Sequence, residues 1–134
     1  PEMEQKLISN LPASDSEILN VEEELSVSLP ESYKRFLKSS NGGEGPIGSS
    51  GYIVIRPINF IVKLRSQYQF DQYSPDYYPI GSNGGSEALV IRLRGNDSVF
   101  GYLPFADISE DSFIKIDRDF DECLRIIGEG KVFD

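Results

Sequence analysis

The chain has 134 residues, of which 39% are hydrophobic and 26% are charged, as is usual for globular proteins. This length predicts one domain, which can bury about two-thirds of the surface of the unfolded chain. There is no histidine and only one cysteine, Cys123. These counts exclude an intrachain disulfide, a serine–histidine–aspartate triad, a cysteine–histidine dyad and the ordinary zinc sites.

No apolar stretch of the sequence is long enough to span a bilayer, and residues 1–6 do not resemble a secretory signal. A single cysteine fits a reducing compartment, so we expect a cytoplasmic protein.

The formal net charge is −9, and the acidic excess lies at the two ends of the chain. Residues 1–40 have a net charge of −4 and residues 106–134 one of −5, whereas residues 41–105 are neutral. This distribution disfavours binding to nucleic acid and to anionic membranes, and it indicates a cationic partner. Solubility alone would also explain a negative charge of this size.

The N-terminal part of the chain predicts two helices. The first covers residues 15–25, because Ser14 is a suitable N-cap and Glu17 completes a capping box. Its apolar face consists of Ile18, Val21 and Leu25. Pro30 suits the first position of the second helix, whose apolar face consists of Tyr33, Phe36 and Leu37. That helix is predicted to end at Asn41, Gly42 and Gly43, because glycine readily adopts a left-handed cap.

The remaining segments predict mostly strands. Residues 44–51 are rich in glycine, serine and proline and are predicted to form a loop, and residues 60–70 are predicted to be helical. Predicted strands cover residues 52–55, 77–81, 88–93, 99–103 and 113–116, with turns at 82–85 and 94–97. A helix over residues 119–127 follows. This order predicts an α+β fold with two N-terminal helices, a mostly antiparallel central sheet and a C-terminal helix.

Three blocks of the sequence have a characteristic order and spacing. The first consists of Leu29, Pro30, Tyr33, Phe36, Leu37, Asn41, Gly42 and Gly43, the second of residues 78–87 and the third of residues 119–124. Together they resemble the SUKH superfamily, the Smi–Knr group, over about residues 18–127. The chain departs from many members in having no tryptophan, and in placing Cys123 where an aromatic or aliphatic residue is frequent.

The resemblance implies a central sheet with flanking helices, and it also implies a function. Most bacterial members resemble immunity proteins encoded beside polymorphic toxins, many of them nucleases, whereas fungal members look like cell-wall and signalling regulators. We therefore expect a non-enzymatic immunity protein without a cofactor, acting as a monomer that forms a 1:1 complex with its toxin. A regulatory scaffold of the fungal type is the alternative. A hydrolase with two catalytic carboxylates is a third possibility, although no pair of carboxylates is singled out.

The candidate partner-binding residues are mainly acidic. Seven of them lie within sixteen positions, namely Asp107, Glu110, Asp111, Asp117, Asp119, Asp121 and Glu122. An acidic surface can steer the protein toward the cationic cleft of a nuclease. The alternative is a solvated face near a helix N-terminus, where aspartate is favoured in any case. Tyr77 and Tyr78 are also candidates, since we expect one ring to face the core and the other to be exposed to the partner.

Asp117, Asp119 and Asp121 have the 1, 3, 5 spacing of a calcium-binding loop. That loop also needs glycine at its sixth position and glutamate at its twelfth, where this chain has Glu122 and Gly128. We therefore expect no metal site here.

Overall fold

The structure, a computed structural model, describes residues 8–132. Within this range the helices are α1 (Asp15–Leu25), α2 (Glu31–Ser39), α3 (Phe60–Gln67), the short α4 (Phe70–Tyr73) and α5 (Phe120–Gly128). The strands are β1 (Ile8–Ser9), β2 (Gly43–Ile47), β3 (Gly51–Ile55), β4 (Tyr77–Ser82), β5 (Glu87–Arg94), β6 (Asp97–Pro104) and β7 (Ile114–Asp117). A 3₁₀ turn, Glu110–Ser112, lies between β6 and β7. The predicted α+β class is confirmed.

The strands form one sheet in which their spatial order follows their order in the chain, from β1 to β7. Every pairing is antiparallel. Strands β4, β5 and β6 correspond to predicted strands, and the two predicted turns connect them. A register shift lies between Pro79 and Gly81 in β4, and another between Phe100 and Gly101 in β6. Neighbours in the sheet are therefore mostly neighbours in the sequence.

Helix α1 has the predicted bounds because its signals are local. The Glu17 N–H donates to Ser14 Oγ at 3.1 Å, and the Ser14 N–H donates to Glu17 Oε1 at 2.9 Å, which completes the capping box. At the other end, Ser26 adopts a left-handed conformation with φ of 57°. Ile18 and Val21 are buried on the face that meets the core.

Helix α2 differs from its prediction at both ends. Pro30 is the N-cap rather than the first helical residue, and the helix ends at Ser39 with an extended Ser40. Gly42 has φ of +93°, but it lies beyond the helix cap. A Cβ atom at Gly42 would lie 2.4 Å from the Ile55 carbonyl oxygen, so glycine is needed there for close approach to the end of β3.

The predicted loop over residues 44–51 is wrong in its first half, because β2 forms there. Gly43, Gly45 and Ile47 are buried, whereas Glu44 and Pro46 are exposed, which is the alternation of a strand. A Cβ atom at Gly43 would lie 3.0 Å from the Ile8 carbonyl oxygen. Glycine here lets β1 lie close to β2, so a composition typical of loops serves a strand.

The larger hydrophobic cluster joins helices α1, α2, α3 and α5 to one face of the sheet. At its centre Phe120 of α5 lies 5.3 Å from Tyr33 and 5.0 Å from Phe100, measured between ring centroids. A second cluster lies on the opposite face, where Phe70 of α4 and the β6–β7 connection cover β4, β5 and β6. Strand β5 is therefore buried on both faces, which explains its continuous apolar run.

The last turn of α5 packs against the turn between β2 and β3. A Cβ atom at Gly51 would lie 2.5 Å from the Ile127 carbonyl oxygen, and one at Gly48 would lie 2.4 Å from that of Gly128. The Ser50 N–H donates to the Gly128 carbonyl oxygen at 2.9 Å. Backbone thus meets backbone where the last helix closes over the first hairpin.

Between residues 8 and 132, every helix is too short or too polar to traverse a lipid bilayer.

Candidate functional site

The seven acidic residues of the predicted surface lie in two groups at opposite ends of β7. One group, on the connection between β6 and β7, consists of Asp107, Glu110 and Asp111. The other, at the end of β7 and the start of α5, consists of Asp117, Asp119, Asp121 and Glu122. A four-residue strand is about 13 Å long, so the two groups are adjacent areas rather than one cluster.

Glu110 links the β6–β7 connection to the sheet through contacts with Arg94 of β5 and Tyr77 of β4. Its carboxylate is paired with the Arg94 guanidinium and accepts a hydrogen bond from the Tyr77 hydroxyl at 3.3 Å. Arg94 also pairs with Asp76, with 2.8 Å between Nε and Oδ2. The Arg94 guanidinium holds the pKa of Glu110 below its usual value. Glu110 is thus largely neutralised within the molecule.

Asp107 and Asp111 have no cation close to them among the described residues. Asp107 accepts hydrogen bonds from the Ser112 hydroxyl at 2.7 Å and from the Ser109 N–H at 3.2 Å. The bond from the Ser112 hydroxyl is the main reason why the pKa of Asp107 lies below its usual value. Both aspartates are exposed, so their charges are available to a partner.

In the second acidic group, Asp117 and Asp119 accept hydrogen bonds from backbone N–H groups at the start of α5. Asp117 Oδ2 accepts from the Asp119 N–H at 2.9 Å, and Asp119 is the N-cap, accepting from the Glu122 N–H at 2.9 Å. These bonds satisfy backbone donors that a helix start leaves free. Residues 8–132 contain no cluster of three or more side chains suited to hold a metal ion.

Two arginines reduce the negative charge around the first turn of α5. Arg35 of α2 lies 3.5 Å from Asp121, and Arg125 lies 2.7 Å from Glu122. The Arg125 guanidinium lowers the pKa of Glu122. Within residues 107–122 of the sequence only Lys115 and Arg118 are cationic. Because Arg35 and Arg125 come from outside this interval, the surface is less acidic than the interval alone suggests.

The expectation that one of Tyr77 and Tyr78 is exposed is wrong, because their side chains are 2% and 8% exposed. Tyr78 lies in the larger cluster with the Arg65 guanidinium 4.6 Å from its ring centroid. Tyr77 lies in the second cluster, edge-on to Phe113 at 5.0 Å. Both faces of β4 are covered at this point, so alternation sends the two rings into two different cores.

Acid is expected to destabilise the fold below about pH 4.5. In the folded state the pKa values of Asp107 and Glu110 lie below 3.8 and 4.5, their ordinary values. The unfolded chain therefore binds protons first as the pH falls, and the stability that these groups contribute above their unfolded pKa values is lost. Urea unfolding followed by circular dichroism from pH 7 to pH 3 would measure this.

The variant Glu110→Gln should flatten this pH dependence, because it removes a carboxylate paired with arginine. Asp111→Asn is the matched control, since Asp111 has no close cation among the described residues. An acid response of Glu110→Gln as steep as that of the unmodified chain would contradict the assignment.

The thiol of Cys123 is unsuited to catalysis. It lies in the larger cluster with no exposed surface, and burial raises its pKa above the ordinary value of 9.0. A buried thiol that resists deprotonation is a packing group rather than a nucleophile.

An open groove of about 460 Å³, which was not predicted from the sequence, lies on the sheet face opposite the larger cluster. A second hollow of about 360 Å³ adjoins it. Four residues line both, namely Glu44, Tyr52, Val54 and Arg56. Alternation along residues 52–56 places Tyr52, Val54 and Arg56 on one face. The sequence therefore predicts that these three residues share a face, but not that a groove lies there.

A family model described as the SMI1 / KNR4 family (SUKH-1) matches residues 12–126. No curated protein matches the chain significantly in sequence. The family match begins just before α1 and extends into α5, so it includes nearly all the helices and strands described above. The chain therefore belongs to the SMI1/KNR4 family, SUKH-1.

Proposed function

We propose that this chain is an immunity protein that neutralises a cognate toxin by binding it. The observation that carries the proposal is membership of SUKH-1 across residues 12–126. Bacterial members of this superfamily resemble immunity proteins, and membership therefore supports an immunity function. The protein would act in the cytoplasm, as a monomer forming a 1:1 complex.

The pKa values of the carboxyl groups favour binding over catalysis. A general acid that works near neutral pH needs a raised carboxyl pKa. Within the described residues, every carboxyl group whose pKa is resolved from its ordinary value is lowered instead, namely Asp97, Asp107, Glu110, Glu122 and Glu129. These carboxylates are suited to remain charged near neutral pH. Of the five, Asp107 alone has no cation partner within residues 8–132 and is therefore the one most available to attract a cationic surface.

Exposed negative charge supports a cationic partner. Asp107 and Asp111 on the β6–β7 connection are exposed and have no close cation among the described residues, and the whole chain carries a net charge of −9. A nuclease toxin needs a cationic cleft to hold phosphates, so opposite charges would speed its encounter with this protein.

The experiment that tests the proposal is co-expression with the C-terminal domain of a toxin-like protein encoded by the neighbouring gene. Cell survival and co-purification of the two chains would be scored together. Survival with a 1:1 complex is the expected result. Cell death with no complex, when the toxin domain is active alone, would refute immunity and favour a regulatory scaffold.

Removing two charges with Asp107→Asn and Asp111→Asn is expected to slow association with that toxin domain about threefold at low salt. The difference should vanish near 1 M salt, where the Debye length falls to about 3 Å. Stopped-flow association rates between 0.05 and 1 M NaCl would measure this.

The matched control for this charge change is Glu23→Gln with Glu24→Gln, which removes two exposed charges from α1 instead. An equal loss of rate in both double variants would indicate a general effect of net charge and not a local surface.

A further inference from the structure

The register of the sheet shows that the groove is the uncovered half of one sheet face. Val54 pairs with Ser82, Ser82 with Ala88, and Ala88 with Leu103. Residues directly opposite in antiparallel strands share a face, so these four residues do. The second cluster covers Ala88 and Leu103, whereas Val54, which is 8% exposed, forms part of the floor of the open groove.

Arg56 lines this groove, and its guanidinium has no partner among residues 8–132. Each of the other six arginines has a carboxylate or carbonyl partner: Asp121 for Arg35, Pro75 for Arg65, Asp97 for Arg92 and Arg118, Asp76 for Arg94, and Glu122 for Arg125. The Arg56 side chain is exposed and makes no hydrogen bond or ion pair within residues 8–132. Its guanidinium therefore keeps a fork of donors free.

The one carboxylate among the groove-lining residues, Glu44, forms no ion pair with Arg56 within residues 8–132. Glu44 Oε2 accepts a hydrogen bond from the Tyr52 hydroxyl at 3.0 Å. This bond keeps the phenol ring of Tyr52, which is 44% exposed, beside Val54 on the groove face. The groove thus combines a free guanidinium with an anchored aromatic ring, the two kinds of side chain most enriched where binding energy concentrates.

We propose that the groove holds an extended segment of the toxin, with a carboxylate of that segment on Arg56 and apolar side chains against the exposed Tyr52 and Pro46. This inference rests on the proposed function, since the toxin is the occupant. A polyanion such as nucleic acid is disfavoured by the net charge of −9. A single carboxylate on a cationic partner fits instead, because charges of alternating sign fix the register of an interface.

The first test uses the toxin domain of the neighbouring gene and the variant Arg56→Gln. The dissociation constant should rise by at least about tenfold, as for a central arginine of an interface. Lys63→Gln, which removes an exposed cation from α3 outside the groove and the acidic surface, is the matched control and should change it less than about twofold. The melting temperature of Arg56→Gln should stay within about 2 °C of the unmodified chain, because no intramolecular contact is lost.

The second test does not need the toxin. A phage-displayed library of random peptides would be selected on the intact chain and on Arg56→Glu. Peptides selected on the unmodified chain should carry aspartate or glutamate beside apolar residues and lose binding to Arg56→Gln. Those selected on Arg56→Glu should carry lysine or arginine at that position. Peptides that bind the unmodified chain and Arg56→Gln equally, or no enrichment at all, would overturn the assignment.

The two tests separate this inference from the proposed function. Toxin binding that is unaffected by Arg56→Gln overturns the groove assignment and leaves immunity standing. Peptide binding that depends on Arg56, with no binding of the toxin domain, supports the groove as a carboxylate site and removes the toxin as its occupant.

Discussion

Replacing Phe120 by alanine is expected to lower the free energy of unfolding by about 4 kcal/mol. The ring is fully buried, and its centroid lies within 5.0 to 5.3 Å of the rings of Tyr33, Phe36 and Phe100. Truncation would remove the apolar contact between α5 and both α2 and the sheet, and would leave a cavity that close packing cannot fill. A loss of this size is a large part of the stability of an ordinary domain.

Urea unfolding followed by circular dichroism would measure this loss. Phe60→Ala is the matched control, because Phe60 is 37% exposed at the start of α3 and should cost less than about 1.5 kcal/mol. If both variants lost the same stability, Phe120 would not be the centre of the aromatic cluster, and the docking of α5 would need revision.

The second large effect is expected at Gly81, where alanine should cost about 3 kcal/mol or more. A Cβ atom there would lie 2.0 Å from the Val54 carbonyl oxygen on β3. No real Cβ atom tolerates that separation, so β3 and β4 would have to move apart. Because Gly81 pairs with Ile55, the movement would break the pairing with β4 that positions β3, the strand that lines the groove.

Thermal and urea unfolding would give the size of the effect, and amide exchange would locate it. The Arg56 N–H donates to the Ile80 carbonyl oxygen at 2.9 Å, so it should exchange faster in Gly81→Ala than the amides of β5 and β6. Gly85→Ala is the control, because its Cβ atom would meet only Asn83 Oδ1, at 3.5 Å. It should change stability by less than about 1 kcal/mol. Equal losses at both glycines would contradict the close contact between β3 and β4.

The parts of the fold that the sequence predicts well depend on local chemistry. The bounds of α1 follow from Ser14, Glu17 and an apolar stripe, which act within a few residues of one another. The turn at Gly95 connects β5 with β6 as predicted, since its φ of +58° is a conformation that glycine adopts readily. No distant residue is needed to specify either feature.

Strand β2 was not predicted because its identity depends on its neighbours. Gly43, Gly45 and Pro46 have low strand propensity, and the segment becomes a strand because β1 and β3 pair with it. The same reason explains Tyr77 and Tyr78. Alternation correctly places them on opposite faces, but the covering of both faces by distant segments decides that both are buried.

The candidate site was only partly predictable for a related reason. The acidic interval of residues 107–122 is evident in the sequence, but the arginines that neutralise Glu110 and Asp121 come from β5 and α2. The groove is harder still to predict, since it exists because α4 and the β6–β7 connection stop short of β3. Sequence patterns indicate what a segment buries more readily than which surface remains open.

The contact between the end of α5 and the β2–β3 turn has a consequence for synthesis on the ribosome. Each strand can pair with the strand made just before it, so the sheet can grow while the chain emerges. The larger core remains open on one side until Phe120, Leu124 and Ile127 have left the exit tunnel. The nascent chain therefore exposes the apolar face of the sheet until α5 has emerged, and the docking of α5 closes the larger core.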